Sequence, residues 1–180
     1  LRRKVQMSAL RPDFDIRDLR GNVDTRIKKL ERGDYDAIVL AQAGLMRMGL
    51  EDKITEVLDP RNVVPAAGQG ALALEYREGD DEVLEMISFL THEKTFHEVT
   101  AERQFLHRLG GGCQVPIGAH AELREDGSML LLGMVSDLEG RNIMRDSSLG
   151  SPGQQMGTGL AERMLAAGAS RVVEEIYGGK

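Results

Sequence analysis

Apolar residues in the first 76 positions follow two different spacings. Val23, Ile27 and Leu30 are three or four residues apart, which is typical of an amphipathic helix. The run from Tyr35 to Ala41 is almost continuously apolar, which is typical of a strand buried on both faces in a parallel sheet. Together these patterns predict helices over residues 1–10, 22–32 and 43–48, and strands over residues 14–19, 35–41 and 71–76. Such alternation of strands and helices predicts a doubly wound α/β fold.

The rest of the chain follows a different pattern. Residues 63–70 are rich in glycine, alanine and proline, which predicts a crossing segment between two domains. Beyond it the pattern predicts two helices, three strands joined by tight turns, and two helices separated at Gly168, over residues 80–90, 93–109, 117–123, 129–136, 142–149, 156–167 and 170–176. We expect a C-terminal α+β unit with a three-stranded antiparallel sheet and helices on one face.

Composition limits the class of protein. Hydrophobic residues make up 41% of the 180 residues, enough for a sizeable core. No apolar run approaches the roughly 20 residues of a membrane span, and the start of the chain lacks the apolar stretch of a secretory signal. A single cysteine indicates a reducing compartment, so we expect a cytoplasmic protein. Because the chain opens at Leu1 directly into a helical pattern, we expect it to be part of a longer protein.

Charge is distributed unevenly along the chain. Residues 1–50 hold 11 lysines and arginines against 7 aspartates and glutamates, a net charge of +4. Residues 51–180 hold 12 against 22, a net charge of −10, and the total is −6. A basic part within an acidic protein indicates a local anionic ligand. Nucleic acid is disfavoured, because the chain has no Trp, three Tyr and four Phe to stack on bases.

Five arginines occupy positions where the predicted fold would place them near a ligand: Arg2, Arg3, Arg20, Arg26 and Arg47. In an open α/β sheet, ligands bind where the loops after the strands meet. Guanidinium groups bind carboxylates through two parallel hydrogen bonds, so this set suits a ligand with several carboxylates. The alternative for each is a solvated helix face, and we assign Lys28, Lys29 and Arg32 to that class.

The only cysteine lies in the run from Gly110 to Pro116, as Cys113. It cannot form an internal disulfide, so it is either a small packing residue or a nucleophile that carries a group. Three preceding glycines leave the sulfur open to a bulky partner, and this favours a nucleophile that carries a group. Neither metal-ligand spacing nor a phosphate-binding loop is present in the sequence.

Several motifs together resemble the porphobilinogen deaminase (hydroxymethylbilane synthase) family. They are Leu19-Arg20-Gly21-Asn22-Val23, Tyr35-Asp36-Ala37-Ile38, Ala43-Gly44-Leu45, Pro65-Ala66-Ala67-Gly68-Gln69-Gly70-Ala71, Ala101-Glu102-Arg103 and Gly111-Gly112-Cys113-Gln114-Val115-Pro116. The resemblance covers essentially the whole chain. It implies a transferase of tetrapyrrole (haem) biosynthesis that joins four porphobilinogen units head to tail and releases ammonia.

The resemblance also implies the roles of particular residues. Cys113 would carry a covalent dipyrromethane cofactor, and Arg2, Arg3, Arg20 and Arg26 would hold its acetate and propionate groups. Arg47 and Gln69 would contact porphobilinogen and the growing polypyrrole, although Gln69 could equally be a polar residue that satisfies the hinge backbone. No metal, nucleic acid or membrane is implied, and the complete enzyme would be a monomer.

The resemblance further implies a division into domains. Residues 1–64 would belong to a second domain, residues 65–90 would return to a first domain, and residues 91–180 would form a third. The lobes would resemble solute-binding proteins in architecture. The family's N-terminal segment, with its catalytic aspartate, has no counterpart here, so no catalytic residue is identified and the chain alone is expected to be inactive. The alternative is a non-catalytic anion-binding module.

Overall fold

The computed structural model describes residues 1–110, 115–153 and 155–178. Its first 90 residues contain the helices α1 (Arg2–Leu10), α2 (Val23–Glu31), α3 (Gln42–Arg47) and α4 (Asp81–Ile87), with 3-10 turns at Glu51–Lys53 and Ser88–Leu90. Asn22 caps α2 by accepting a hydrogen bond from the backbone N–H of Thr25 at 2.9 Å. The predicted helices are thus confirmed. None of the helices in the described residues has the length and hydrophobicity needed to cross a membrane.

The three strands predicted in this region are wrong for this structure. Residues 14–19, 35–41 and 71–76 form no β-ladder, and the described residues contain no strand before Ile117. A strand needs a hydrogen-bonded neighbour as well as an apolar pattern, and these segments have none within the described residues. Their side chains remain open to solvent, with Leu72 79% and Leu74 59% exposed. The predicted parallel sheet is therefore not formed here.

The C-terminal part is a mixed unit of helices on a sheet, as predicted. Its elements are α5 (Glu93–Arg108), β1 (Ile117–Leu123), β2 (Met129–Ser136), β3 (Ile143–Gly150), α6 (Met156–Met164) and α7 (Ser170–Gly178). The strands form one antiparallel sheet in the order β1-β2-β3, with Ile117 opposite Val135 and Met129 opposite Gly150. A kink at Gly168, with φ 117°, separates α6 from α7 as predicted.

The core lies between this sheet and the helices α5 and α6. Ala119, Leu131, Phe105 and Leu160 are fully buried in one cluster that includes residues of all these elements. Gly133 leaves room for the Phe105 ring, because a Cβ at this position would lie 2.6 Å from Phe105 Cζ. Small residues at such contacts let α5 sit directly on the sheet. The C-terminal unit therefore forms the base against which the N-terminal residues pack.

Helix α1 and the crossing segment (residues 63–70) pack against that base. The buried carboxamide of Gln6 donates to the carbonyl oxygen of Val64 at 3.0 Å and accepts from its N–H at 2.8 Å. The N–H of Ala119 in β1 donates to the carbonyl oxygen of Pro65 at 3.1 Å. These bonds satisfy buried polar groups on both sides. They fix α1, the crossing segment and β1 relative to one another.

Candidate functional site

Arg3 lies at the centre of the candidate site. On α1, its Nη1 donates to the carbonyl oxygen of Val39 at 3.1 Å, and its Nη2 donates to the Oε1 of Gln69 at 3.4 Å. The guanidinium of Arg3 thus joins residues 35–41, which were predicted as a strand, to the crossing segment. The contact brings together two of the predicted site residues that are 66 positions apart in the sequence.

Arg26 brings a second positive charge close to Arg3. Its Nε donates to the carbonyl oxygen of Gly21 at 2.7 Å, in the turn before α2. Gly21 adopts φ 117° there, a conformation that a side chain rarely allows. Burial lowers the pKa of Arg3 below its ordinary value, and the charge of Arg26 lowers it further. Two guanidinium groups that repel each other in a half-buried position provide a site for an anion.

Arg47 approaches the same place from α3. Its Nη2 donates to the carbonyl oxygen of Gly70 at 2.5 Å, directly after Gln69. A Cβ on Gly70 would lie 3.5 Å from the Cβ of Ala43, so the start of α3 also packs here. We call Arg3, Arg26 and Arg47 the arginine cluster: Arg3 contacts Gln69, Arg26 lies close to Arg3, and Arg47 contacts Gly70. Its members come from the three helices α1, α2 and α3.

The ion pairs distinguish these arginines from their neighbours in sequence. Within residues 1–64, the arginines outside the predicted set each pair with an aspartate two positions away: Arg11, Arg17, Arg32 and Arg61. In contrast, Arg3, Arg20, Arg26 and Arg47 form no ion pair with a carboxylate of the described residues. Arg3 and Arg26 are also partly buried, where charge without a counter-ion is costly, so these two groups are suited to carboxylates of a ligand.

Arg2 and Arg20 are the other two predicted arginines. The Nη1 of Arg2 donates to the carbonyl oxygen of Ile117 at 3.1 Å, so this side chain reaches the start of β1. Arg20 is exposed, and its guanidinium forms no hydrogen bond to the described residues. Its backbone carbonyl accepts from the Nζ of Lys29 at 3.2 Å. Hydrogen bonds therefore hold Arg3, Arg26 and Arg47 in place, whereas none of the described residues holds the guanidinium of Arg20.

Cys113 lies outside the described residues. The chain on its two sides is described: α5 ends at Arg108, and Val115 and Pro116 are buried before β1 begins. Arg2, one predicted site residue, binds the carbonyl oxygen of Ile117, which follows Cys113 by four positions in the sequence.

Comparison with known proteins decides the family. Residues 1–85 match the family model described as "Porphobilinogen deaminase, dipyromethane cofactor binding domain". Residues 96–166 match the model described as "Porphobilinogen deaminase, C-terminal domain". The chain belongs to the porphobilinogen deaminase family.

Curated relatives in the porphobilinogen deaminase family are longer than this chain. The porphobilinogen deaminase of Roseiflexus castenholzii is 51% identical over 175 residues, which cover 96% of this chain and 57% of the relative. That of Syntrophobacter fumaroxidans is 48% identical and covers 98% and 58%. That of Thermus thermophilus is 48% identical and covers 98% and 59%. The chain therefore spans less than two thirds of the length of these relatives.

Glu102 belongs to a motif of the porphobilinogen deaminase family, but its sequence context did not single it out as a candidate site residue. It is 6% exposed and lies on α5. Its Oε2 accepts from the N–H of Gly68 at 2.6 Å, and its Oε1 accepts from the N–H of Ala121 at 2.8 Å. The available signal is its place between Val99 and Phe105, three residues from each, where helical spacing calls for an apolar residue.

Burial raises the pKa of Glu102 to about 7, although the two backbone hydrogen bonds act in the opposite direction. His120 Nδ1 lies 3.8 Å from its Oε1, but burial lowers the pKa of this histidine, so its imidazole does not offset the shift. The carboxyl group of Glu102 thus titrates near neutral pH.

Glu102 should make the free energy of unfolding depend on pH. Its pKa rises from 4.5 to about 7 on folding, so the folded chain binds this proton more tightly than the unfolded chain. Its contribution to stability is fully present below pH 4.5 and is lost as the pH rises through 7. A shift of this size corresponds to roughly 3 kcal/mol. Urea unfolding of the 180-residue chain at pH 5 and pH 8 measures the loss.

The matched variants are Glu102→Gln, which cannot titrate, and Glu98→Gln on the preceding turn of α5. Glu102→Gln should show a much smaller difference between the two pH values. Glu98→Gln should keep most of the difference of the parent, because the charge of Glu98 is a smaller cause of the raised Glu102 pKa than burial is. Equal pH dependence in the parent and Glu102→Gln would contradict the assignment.

Proposed function

We propose that this chain is the part of a hydroxymethylbilane synthase that lines the site with arginines and carries the cofactor. The enzyme joins four porphobilinogen units head to tail, releases ammonia, and starts from a dipyrromethane attached to Cys113. Membership of the porphobilinogen deaminase family supports this proposal. The observation that carries it is the arginine cluster, whose charges lack carboxylate partners among the described residues.

The chemistry of the ligand fits that cluster. Each pyrrole unit carries an acetate and a propionate, so the growing chain gains two negative charges with each addition. Guanidinium groups stay protonated and bind carboxylates through two parallel hydrogen bonds. Arg3 and Arg26 are close enough to repel each other, so a bound carboxylate relieves an existing cost.

We assign the residues as follows. Arg2, Arg3, Arg20 and Arg26 hold carboxylates of the dipyrromethane, while Arg47 and Gln69 contact porphobilinogen and the polypyrrole intermediates. When bound, the dipyrromethane supplies the pyrrole to which the first substrate unit is joined. The exposed guanidinium of Arg20 can follow a ligand that lengthens, whereas Arg3 is held by Val39 and Gln69.

We further propose how the chain is divided. Residues 1–64 belong to a second domain, residues 65–90 to a first and residues 91–180 to a third; the ends of the matched regions at 85 and 96 support a boundary near 90. In a full-length protein, meaning this chain together with the remaining length of its relatives, the first 90 residues complete α/β lobes of the solute-binding type. That protein is a cytoplasmic monomer.

The test of this proposal is the mass of the full-length protein. After purification and denaturation, the peptide that contains Cys113 should carry the mass of a dipyrromethane joined through a thioether. We expect this adduct because a thiolate is the strongest nucleophile among protein side chains, and the three residues before Cys113 are glycines, which carry no side chain. Tryptic digestion followed by mass spectrometry measures the adduct.

Cys113→Ser is the matched control, because it keeps the size and polarity of the side chain but not the nucleophile. It should lack the adduct altogether. An unmodified Cys113 in full-length protein that has been supplied with porphobilinogen would contradict the proposal and favour the alternative, a non-catalytic anion-binding module.

A further inference from the structure

Glu102 joins the C-terminal unit to the crossing segment at one specific place. Its two carboxylate oxygens accept one backbone N–H each, from Gly68 in the crossing segment and from Ala121 in β1. Gly68 adopts φ 72°, so it allows a turn there that a side chain would oppose. The carboxylate thus fixes the backbone one residue before Gln69.

The next contacts lead from Gln69 into the arginine cluster. The Oε1 of Gln69 accepts from the Nη2 of Arg3, and the carbonyl oxygen of Gly70 accepts from Arg47. Hydrogen bonds to three consecutive residues, Gly68, Gln69 and Gly70, therefore connect α5 through the backbone of the crossing segment to two of the arginines. The same helix leads toward Cys113, which follows the end of α5 by five residues.

We propose that Glu102 is a positioning residue for substrate binding: its carboxylate fixes Gly68, so that Gln69 meets Arg3 in the arginine cluster. The inference rests on the proposed function and extends it to a residue that does not touch the ligand. A carboxylate suits the task because both N–H groups need an acceptor, and an amide would place its NH2 against one of them.

Glu98 is a matched comparison for Glu102 on the same helix. It lies one turn earlier on α5, and its Oε1 accepts from the N–H of Leu123 at 2.9 Å. Like Glu102, it ties α5 to β1 through a backbone N–H. Unlike Glu102, it makes no hydrogen bond to the crossing segment. A difference between variants at the two positions therefore reports on the contact with Gly68.

The experiment uses full-length protein at pH 8, where Glu102 is ionised, with porphobilinogen as substrate. Glu102→Gln should raise KM about tenfold and change kcat less than about threefold, because a lost hydrogen bond moves Gln69 without altering the reacting groups. Glu98→Gln should stay within about twofold of the parent in both parameters. If Glu102→Gln does not fold, Glu102→Asp, which keeps the charge but is one methylene shorter, replaces it.

A double-mutant cycle with Gln69→Ala tests whether Glu102→Gln changes KM through Gln69. In the Gln69→Ala background, Glu102→Gln should add less than about twofold to KM. An unchanged KM in Glu102→Gln, an equal change in Glu98→Gln, or a full additional effect in the Gln69→Ala background would each overturn the inference. A parent protein with no Cys113 adduct and no turnover would instead overturn the proposed function.

Discussion

Gly157→Ala should destabilise the 180-residue chain by about 3 kcal/mol or more, which is a large part of the stability of a domain this size. Gly157 lies on α6, where it packs against α5. An added Cβ would meet the carbonyl oxygen of Ala101 well inside contact distance and would lie 2.7 Å from the backbone N of Phe105. Backbone atoms cannot rotate away as a side chain can, so the two helices must separate. The midpoint of urea unfolding measures the effect.

Gly159→Ala is the matched control, two residues further along α6. A Cβ at this position has no atom within 4 Å. Alanine is also a better helix former than glycine, by up to about 1 kcal/mol. This variant should therefore be as stable as the parent or slightly more stable. Similar unfolding midpoints for the two variants would show that α5 and α6 are not packed as closely as described.

Arg3→Leu should raise KM for porphobilinogen in the full-length protein by roughly ten- to a hundredfold. A charge-assisted hydrogen bond contributes about 1.5–3 kcal/mol, and each 1.4 kcal/mol corresponds to a factor of ten in affinity. Arg3 is half-buried and also holds Gln69, so its loss removes a proposed contact to the cofactor end of the growing chain and disturbs the proposed substrate contact of Gln69. Steady-state kinetics measure KM, and separation of the stalled intermediates shows which addition is slowed.

Arg32→Leu is the control for the loss of one positive charge. Arg32 forms an exposed ion pair with Asp34 and belongs to the surface class, so KM should change less than about twofold. Arg20→Leu should fall between the two variants, because its guanidinium is exposed and not held by the described residues. An Arg3→Leu protein with the KM of Arg32→Leu would remove Arg3 from the site.

The helices could be predicted from the sequence because the information that specifies them is local. Asn22 caps α2, and Gly168 bends the chain after α6, and each acts within a few residues. The antiparallel meander could also be predicted, since tight turns join neighbouring strands. The strands predicted at residues 35–41 and 71–76 were wrong for the opposite reason. A strand depends on a partner segment, and an apolar pattern does not reveal whether that partner is present.

The candidate site was predictable in its residue types and only partly in its geometry. Position in the sequence singled out Arg3, Arg26 and Arg47, but it could not show which arginines pair with an aspartate and which do not. The buried contacts of Glu102 could not be predicted, because a lone glutamate on a helix is usually solvated. Its role depends on a backbone N–H of Gly68, 34 residues away, and no periodicity reports a contact of that kind.

The paired carboxamide of Gln6 limits how the crossing segment can vary in length. A carboxamide offers one acceptor and one donor end, and both are used by the backbone of Val64. A slip of one residue would present the wrong backbone groups to it in a buried position. Glu102 imposes a second fixed point at Gly68, four residues later. We therefore expect insertions and deletions only in other loops, such as the exposed turn at 124–127. The fixed number of residues from Val64 to Gln69 sets where Gln69 meets Arg3 of the arginine cluster.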